Sequence, residues 1–118
     1  MLTQKQKLGD FGEMLAKNYL IQKGYIIIEQ NYQSSYQELD IIAKIKKKYV
    51  FVEVKTRESG LEDPENALNH RKTNNLKRAI SAYLGKRPWI SEFQLDLIAI
   101  RVDKKRKRAN IKHYKEIF

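Results

Sequence analysis

The chain is a small, strongly basic protein of 118 residues, with 24 Lys and Arg against 14 Asp and Glu and a formal net charge of +10. The absence of cysteine excludes disulfides and thiolate chemistry, and His70 and His113 lie too far apart in sequence to indicate a zinc site. No apolar run approaches the roughly 18 residues of a membrane span, and the first residues lack the apolar stretch of a signal peptide. We therefore expect one cytoplasmic domain over residues 1–118.

The first half of the chain has the pattern of one helix followed by three strands. Apolar residues at three- and four-residue steps predict a helix from about Thr3 to Lys23, with Gly24 as its C-terminal cap. The residues predicted to face inward are Leu8, Phe11, Leu15, Ala16, Tyr19 and Leu20. Three strands rich in β-branched residues are predicted after this helix, at 25–30, 38–45 and 49–57.

The second half has the pattern of one helix followed by further strands. Asp63 and Pro64 predict the N-cap and the first position of a helix that runs to about Leu84, with a break near residues 73–75. The remaining predicted elements are a fourth strand at 92–102, a basic turn at 104–108, and a fifth strand or a frayed end at 110–118. This order of elements indicates an α/β or α+β fold in which helices cover a sheet.

The strands at 38–45 and 49–57 form a predicted hairpin. A tight turn between them opposes residues whose numbers sum to 93, and it gives one wholly apolar face. The opposed pairs on that face are Leu39 and Val54, Ile41 and Val52, and Ala43 and Val50. A slip of one residue would oppose inward and outward side chains, so the pattern favours this register.

The other face of the hairpin pairs Asp40 with Glu53 and Glu38 with Lys55. Directly opposed Cβ atoms lie about 4.5–5.5 Å apart, so the carboxylates of Asp40 and Glu53 repel unless a cation lies between them. Two such carboxylates are able to hold Mg²⁺ and leave coordination sites for water and phosphate. Lys55 would then orient the attacking water or stabilise developing charge. The alternative is an exposed hairpin end in which Lys55 neutralises one acid, and the spacing alone leaves both interpretations open.

Asp40 followed by Glu53-Val54-Lys55 resembles the core motif of the PD-(D/E)xK nucleases, which include restriction endonucleases and archaeal Holliday-junction resolvases. Over most of its length the chain also resembles the YraN-like family of small bacterial proteins. The stretches that carry this resemblance are GDFGEMLAKNYLIQKGY, NYQSSYQELDIIA, VFVEVKTR, ALNHRK leading into AISAYL, and QLDLIAI.

This resemblance implies a restriction-endonuclease-like α/β/α sandwich with a mixed central sheet of five or so strands. It implies that Asp40 and Glu53 are catalytic and bind Mg²⁺ or Mn²⁺, and that Lys55 is catalytic. Glu13 is implied as a further catalytic and metal-binding acid, while its helical spacing fits a surface glutamate equally well. A homodimer is implied by analogy with resolvases, which act as two-fold dimers.

Lys72, Arg57 and Lys77 are the predicted contacts to nucleic-acid phosphates. Lys72 matches a family lysine, with a solvated surface lysine as the alternative. Asp96 interrupts an apolar strand, and we interpret it as the partner of a neighbouring basic group. The chain departs from the family pattern at Gln37, Leu39, Gln33 and Gln94, where glycine, isoleucine and two arginines are usual.

Three functions are compatible with these patterns. The first is a metal-dependent nuclease that hydrolyses phosphodiester bonds in DNA, branched DNA included, or in RNA. The second is a nucleic-acid-binding module without catalysis, and the third is a subunit of a repair, uptake or RNA-processing complex. The net charge fits a polyanionic partner, either nucleic acid or an anionic membrane surface, and it fits a merely soluble basic protein equally well. The partner that we expect is nucleic acid, DNA before RNA, and no membrane. The candidates for stacking on bases, with core burial as the alternative, are Tyr25, Tyr32, Tyr36 and Trp89.

Overall fold

The computed structural model describes residues 1–117, apart from the side chains of Ala67 and His70. It shows a five-stranded mixed sheet with a helix on each face, as the predicted α/β class requires. The elements in chain order are α1 (Gln4–Gln22), β1 (Ile26–Tyr32), β2 (Leu39–Ile45), β3 (Lys48–Glu58), a 3₁₀ turn (Pro64–Ala67), α2 (His70–Gly85), β4 (Glu92–Asp103) and β5 (Arg108–Tyr114). The strands lie side by side in chain order, and only β3 and β4 are parallel. Within the described residues no helix is both long and apolar enough to cross a membrane.

Helix α1 begins where the sequence predicts because Thr3 and Gln6 cap each other. Thr3 Oγ1 accepts a hydrogen bond from the Gln6 backbone N–H at 3.1 Å, and Gln6 Oε1 accepts one from the Thr3 N–H at 2.9 Å. This reciprocal pair satisfies two of the N–H groups that a helix start leaves unpaired. At the other end Gly24 adopts a φ of 95°, a conformation that favours glycine.

The contact between α1 and the sheet is centred on Gly12. Gly12, Ala16 and Leu20 are the buried residues of α1 and succeed one another at four-residue steps. A Cβ atom on Gly12 would lie 1.8 Å from Thr56 Oγ1 and 2.8 Å from Thr56 Cβ. Strand β3 therefore lies so close to the helix that only glycine fits at this position. Phe11, predicted to face inward, is 42% exposed because the helix approaches the sheet through its small neighbour.

The sheet divides the apolar core into two clusters. On the α1 side the buried residues are Ala16, Leu20, Tyr25, Ile41, Ala43, Val50, Val52, Val54, Ile98, Ile100 and Val102. On the α2 side they are Leu39, Ile42, Phe51, Leu76, Ala79, Ile80, Tyr83 and Leu95. Strands β3 and β4 are buried on both faces, which explains why their sequences are nearly continuous apolar runs.

The β2–β3 hairpin has the predicted register, since every registered pair sums to 93. The ladder ends at Ile41 and Val52, so Leu39 and Val54 do not form the predicted pair. The Val54 N–H instead donates to Asp40 Oδ2 at 2.9 Å. Leu39, predicted on the face of Ile41, is buried in the cluster on the α2 side, because the strands part where the ladder ends.

The segment before α2 differs from the prediction. The helix predicted from Pro64 is a single 3₁₀ turn (Pro64–Ala67), and the break before α2 lies at residues 68–69 and not near residues 73–75. The cause is a cap: Asn69 Oδ1 accepts a hydrogen bond from the Lys72 N–H at 3.0 Å.

Asp96 in β4 is fully buried and binds a histidine from β5. Its Oδ2 lies 2.7 Å from His113 Nε2, and its Oδ1 accepts hydrogen bonds from Gln94 Nε2 and the Glu116 backbone N–H. Burial raises the pKa of Asp96, but these hydrogen bonds outweigh burial and leave that pKa below its ordinary value. The predicted basic partner of Asp96 is therefore His113. The other ring nitrogen of His113, Nδ1, lies 3.1 Å from the hydroxyl of Tyr19 in α1.

We expect Gly12→Ala to lower the free energy of unfolding by about 1–3 kcal/mol or more, because its methyl group would overlap the Thr56 side chain. Gly9→Ala in the same helix is the matched control. A Cβ on Gly9 meets no heavy atom within 4 Å, so this change should raise stability by up to about 1 kcal/mol. Urea unfolding measures both values, and equal effects of the two changes would contradict the close approach.

Asp96→Ala is expected to cost about 3–5 kcal/mol at neutral pH, because it removes one partner from a buried pair. The exposed ion pair of Asp63 and Arg101 provides the control, since Asp63→Ala should cost only about 0–1 kcal/mol. The lowered pKa of Asp96 means that its contribution is present above pH 3.8 and is lost as the pH falls through the folded pKa. Denaturant unfolding should therefore show the Asp96→Ala penalty shrinking in acid, and a penalty no larger than that of Asp63→Ala would refute this account.

Candidate active site

The carboxyl groups of Asp40 and Glu53 meet where the β2–β3 ladder ends. Asp40 is fixed by the Val54 N–H at 2.9 Å, and Glu53 is only 4% exposed. Burial, the hydrogen bond with Glu53 and the charge of Glu53 together raise the pKa of Asp40 to about 9. At neutral pH the pair therefore holds a proton between its oxygens, and a metal cation is able to replace that proton.

Lys55 lies beside this pair on β3. Its Nζ is 3.6 Å from Glu53 Oε1, and its side chain is 17% exposed. The ion pair proposed in the alternative interpretation therefore exists, but Glu53 is buried and Lys55 is partly buried, so the pair does not lie at an exposed hairpin end. The predicted pairing of Glu38 with Lys55 is wrong, because Glu38 accepts hydrogen bonds from Asn31 at 2.7 Å and Gln33 at 2.8 Å.

Asn31 connects α1 to the acids of the site. It adopts a φ of 50° at the end of β1, and its Nδ2 donates to Glu13 Oε1 at 2.8 Å and to Glu38 Oε1. The pKa of Glu13 is raised, mainly by burial. The hydrogen bond from Asn31 partly opposes this rise, whereas the charges of Asp40 and Glu38 add to it. Glu13 thus lies in the same acidic group but is bound to Asn31. Asn31 was not among the predicted site residues, although an asparagine at a strand end is a recognisable signal for this backbone conformation.

Gln37, at the position where the resemblance gives glycine, contacts the second carboxylate. Its Nε2 donates to Glu53 Oε2 at 3.2 Å. Ser34 holds the preceding loop, because its hydroxyl donates to the Gln37 carbonyl at 2.6 Å and accepts the N–H groups of Tyr36 and Gln37. Glu53 is therefore oriented on one side by an amide and on the other by Lys55.

Cations border the carboxylate pair on the side of α2 and α1. The pKa of Lys72 is lowered by the charge of Lys55, by burial, and by the charges of Arg57 and Lys5. The charge of Lys72 is therefore repelled by those of Lys55, Arg57 and Lys5, and an anion such as phosphate would relieve that repulsion. A cleft of about 480 Å³ between α1 and β3 is lined by Lys5, Lys55 and Arg57 together with Glu13.

Lys77, also predicted to contact phosphate, lies apart from the other site residues. It is exposed on the outer face of α2 and lines two hollows that do not include the carboxylates. The structure therefore brings together six of the predicted site residues, Glu13, Asp40, Glu53, Lys55, Arg57 and Lys72, and leaves this seventh outside.

The donor set of the site fits a hard divalent cation. Within the part of the chain that is described, no group of three or more Asp, Glu, His or Cys side chains forms a ready metal cage. Asp40 and Glu53 would thus supply two protein ligands through carboxylate oxygens, which Mg²⁺ and Mn²⁺ prefer. Mg²⁺ commonly keeps several waters and binds through one or two carboxylates plus substrate phosphates, so two acids are a sufficient protein contribution.

Comparison with known proteins identifies close relatives over nearly the whole chain. The family model described as "Uncharacterised protein family UPF0102" matches residues 12–100, which include both carboxylates and Lys55. A UPF0102 protein of Syntrophomonas wolfei is 41% identical over 107 residues, which cover 89% of this chain and 93% of the relative. UPF0102 proteins of Alkaliphilus oremlandii and Clostridium botulinum are 39% and 36% identical over 111 and 114 residues, covering 89% and 94% of this chain and 93% of each relative.

Asp40→Asn is expected to stabilise the metal-free protein by a margin that grows with pH. The carboxyl group has a folded pKa of about 9 against an ordinary 3.8, so between these values ionisation favours the unfolded state and wild-type stability falls as the pH rises. An amide does not ionise, and its oxygen still accepts the Val54 N–H. The variant should therefore match wild type near pH 4 and exceed it by a few kcal/mol near pH 8.

Urea unfolding in EDTA across this pH range measures the difference. The control is Glu62→Gln, which removes the same charge from an exposed position. A margin for Asp40→Asn that stays constant with pH, or that equals the margin of the control, would contradict a proton shared within the buried pair.

Proposed function

The chain belongs to the UPF0102 family, and we propose that it is a divalent-metal-dependent nuclease that hydrolyses phosphodiester bonds at Asp40 and Glu53. The observation that carries this proposal is the buried contact between these two carboxyl groups, which raises the pKa of Asp40 to about 9. Stability alone does not favour such a contact, because it desolvates two acids of like charge. The cations that line the adjoining cleft, and the resemblance to the PD-(D/E)xK motif, support a phosphate substrate.

Asp40 and Glu53 would hold Mg²⁺ or Mn²⁺ through their carboxylate oxygens. The bound ion would supply an activated water and neutralise charge on the scissile phosphate. The Val54 N–H orients Asp40, and the Gln37 amide orients Glu53, so both acids are held before substrate arrives. Glu13 would act as an outer acid, because Asn31 occupies one of its oxygens.

Lys55 would stabilise the charge that develops during cleavage. Its ammonium group is held near Glu53 and is largely shielded from solvent, where an electrostatic contact is stronger than in water. It would donate a hydrogen bond to the attacking water or to a phosphate oxygen. Arg57 and Lys72 would bind phosphates beside the scissile one, and DNA is the expected substrate.

A nucleic-acid-binding module without catalysis is the second candidate, alone or as a subunit of a repair, uptake or RNA-processing complex. The observation in its favour is that Gln37 and Lys55 already occupy the oxygens of Glu53. An acid so fully bound is also compatible with a purely structural role. The basic cleft would then hold phosphates without cutting them.

We expect Lys55→Ala to reduce single-turnover cleavage by about 10²–10³-fold, the usual effect of removing one well-placed electrostatic donor. Substrate affinity should hardly change, because Lys55 is one of 24 basic residues. The substrates are single-stranded, duplex, flapped and four-way DNA and a structured RNA, each tested with Mg²⁺ and Mn²⁺. Lys105→Ala, at an exposed position in the β4–β5 turn, is the matched control and should cleave like wild type.

Asp40→Asn and Glu53→Gln should abolish cleavage and weaken Mn²⁺ binding in calorimetry. Equal rates for Lys55→Ala and wild type would remove Lys55 from the mechanism. Binding to duplex DNA whose affinity falls with salt, at a log–log slope of about −0.9 per phosphate contact, together with no cleavage of any substrate, would favour the binding module.

A further inference from the structure

The outer surface of α2 is basic, and its own stretch of chain contains no acid, although Arg87 beyond the end of the helix pairs with Glu29 of β1 at 3.7 Å. Residues 66–91 contain six Lys and Arg and no Asp or Glu. Within this stretch Lys77 and Arg78 are exposed on α2. In a chain of net charge +10, such a surface attracts phosphates independently of base sequence.

Two half-exposed aromatic side chains flank this surface. Tyr36 is 52% exposed and Phe93 is 51% exposed. One hollow, of about 360 Å³, is lined by Tyr36, Lys77, Arg78, Ser81 and Ala82. The other, of about 310 Å³, is lined by Lys77, Ile80, Ser81, Phe93, Gln94 and Leu95. The two hollows share Lys77 and Ser81, so they lie next to each other on the outer surface of α2.

Both aromatic side chains are attached to rigid parts of the fold. The Phe93 ring packs edge-on against the buried ring of Phe51, with centroids 6.4 Å apart and planes at 80°. The backbone N–H of Tyr36 donates to Ser34 Oγ at 3.2 Å, in the loop that this hydroxyl closes. The Phe93 ring therefore loses little freedom when a flat ligand stacks on it, and the backbone that carries the Tyr36 ring is fixed. Every nucleic-acid base has a flat face that such rings can stack on.

We propose that this surface, the α2 platform (Tyr36, Lys77, Arg78, Ser81 and Phe93), binds an unpaired nucleic-acid strand. Bases stack on the two rings, and phosphates contact the two cations between them. The platform adjoins the carboxylate site, because Tyr36 precedes Gln37, whose amide binds Glu53. The bound strand would continue past Tyr36 into the cleft beside the carboxylates. This step rests on the proposed function, and it makes the substrate a nucleic acid with a single-stranded segment.

Tyr36→Ala and Phe93→Ala should each weaken binding of a short single-stranded DNA by roughly fivefold to a hundredfold, the effect of losing one base stack. Affinity for a duplex of equal length should be unchanged, because paired bases do not present their faces. Fluorescence anisotropy in EDTA measures both affinities without cleavage. Phe11→Ala is the matched control, since Phe11 is 42% exposed on α1, outside the platform.

Three further arms make the test specific. Tyr36→Trp and Phe93→Trp keep a stacking ring and should retain single-strand affinity, which separates stacking from misfolding. Arg78→Ala should flatten the single-strand salt dependence by about 0.7 in log–log slope, the contribution of one phosphate contact, whereas Arg108→Ala on β5 should not. The Ala variants should lose as much affinity for a single-stranded RNA of the same sequence if the platform contacts only bases and phosphates. A loss of affinity for RNA without a loss for DNA would contradict DNA as the expected substrate.

The outcomes separate this inference from the nuclease proposal. Loss of single-strand binding in the Ala variants supports the platform even where wild type cleaves nothing, in which case only the nuclease proposal fails. Unchanged single-strand affinity in both Ala variants overturns the platform, whether or not wild type cleaves. Equal losses on single strand and duplex, or an equal loss in Phe11→Ala, would also overturn it.

Discussion

The hydrogen bond from the Val54 N–H to the Asp40 carboxylate determines the geometry of the site. A continued ladder would satisfy this N–H with a backbone carbonyl, but the registered pairs end at Ile41 and Val52. Asp40 Oδ2 accepts this N–H instead, which fixes the Asp40 side chain and places it against Glu53. Because buried backbone donors need a partner, the backbone itself holds the two acids together.

Neighbouring side chains bind the oxygens of the acids around the contact between Asp40 and Glu53. Lys55 and Gln37 bind Glu53, and Asn31 binds the outer acids Glu13 and Glu38. The amides satisfy oxygens without adding charge, so the local excess of negative charge persists beside a cleft lined by cations. Separated patches of opposite sign are what the proposed metal ion and phosphate group would require from one site, and the structure contains both patches.

Much of the fold and part of the site could be predicted from the sequence. The register of the hairpin followed from strict alternation, because a slip would have placed apolar side chains in water. The exposure of Phe11 was not predictable from helical spacing, since it depends on how closely Gly12 approaches another strand. The partner of Asp96 lies on β5, 17 positions away, and its identity as His113 required the sheet order. Spacing thus finds residues that share a strand or a helix, whereas contacts between distant elements need the fold.

The parallel pairing of β3 with β4 has a consequence for how the molecule assembles. Asp40 and Glu53 lie in one hairpin, whose contacts are local and form fast. Strand β4 pairs with β3 only after the intervening residues 59–91 have folded back across the sheet, and these residues carry Lys72. We therefore expect the acids of the site to meet early in folding and its helix-borne cation to arrive last. In the nascent hairpin the two acids would therefore meet beside Lys55 of the same strand, before Lys72 reaches them.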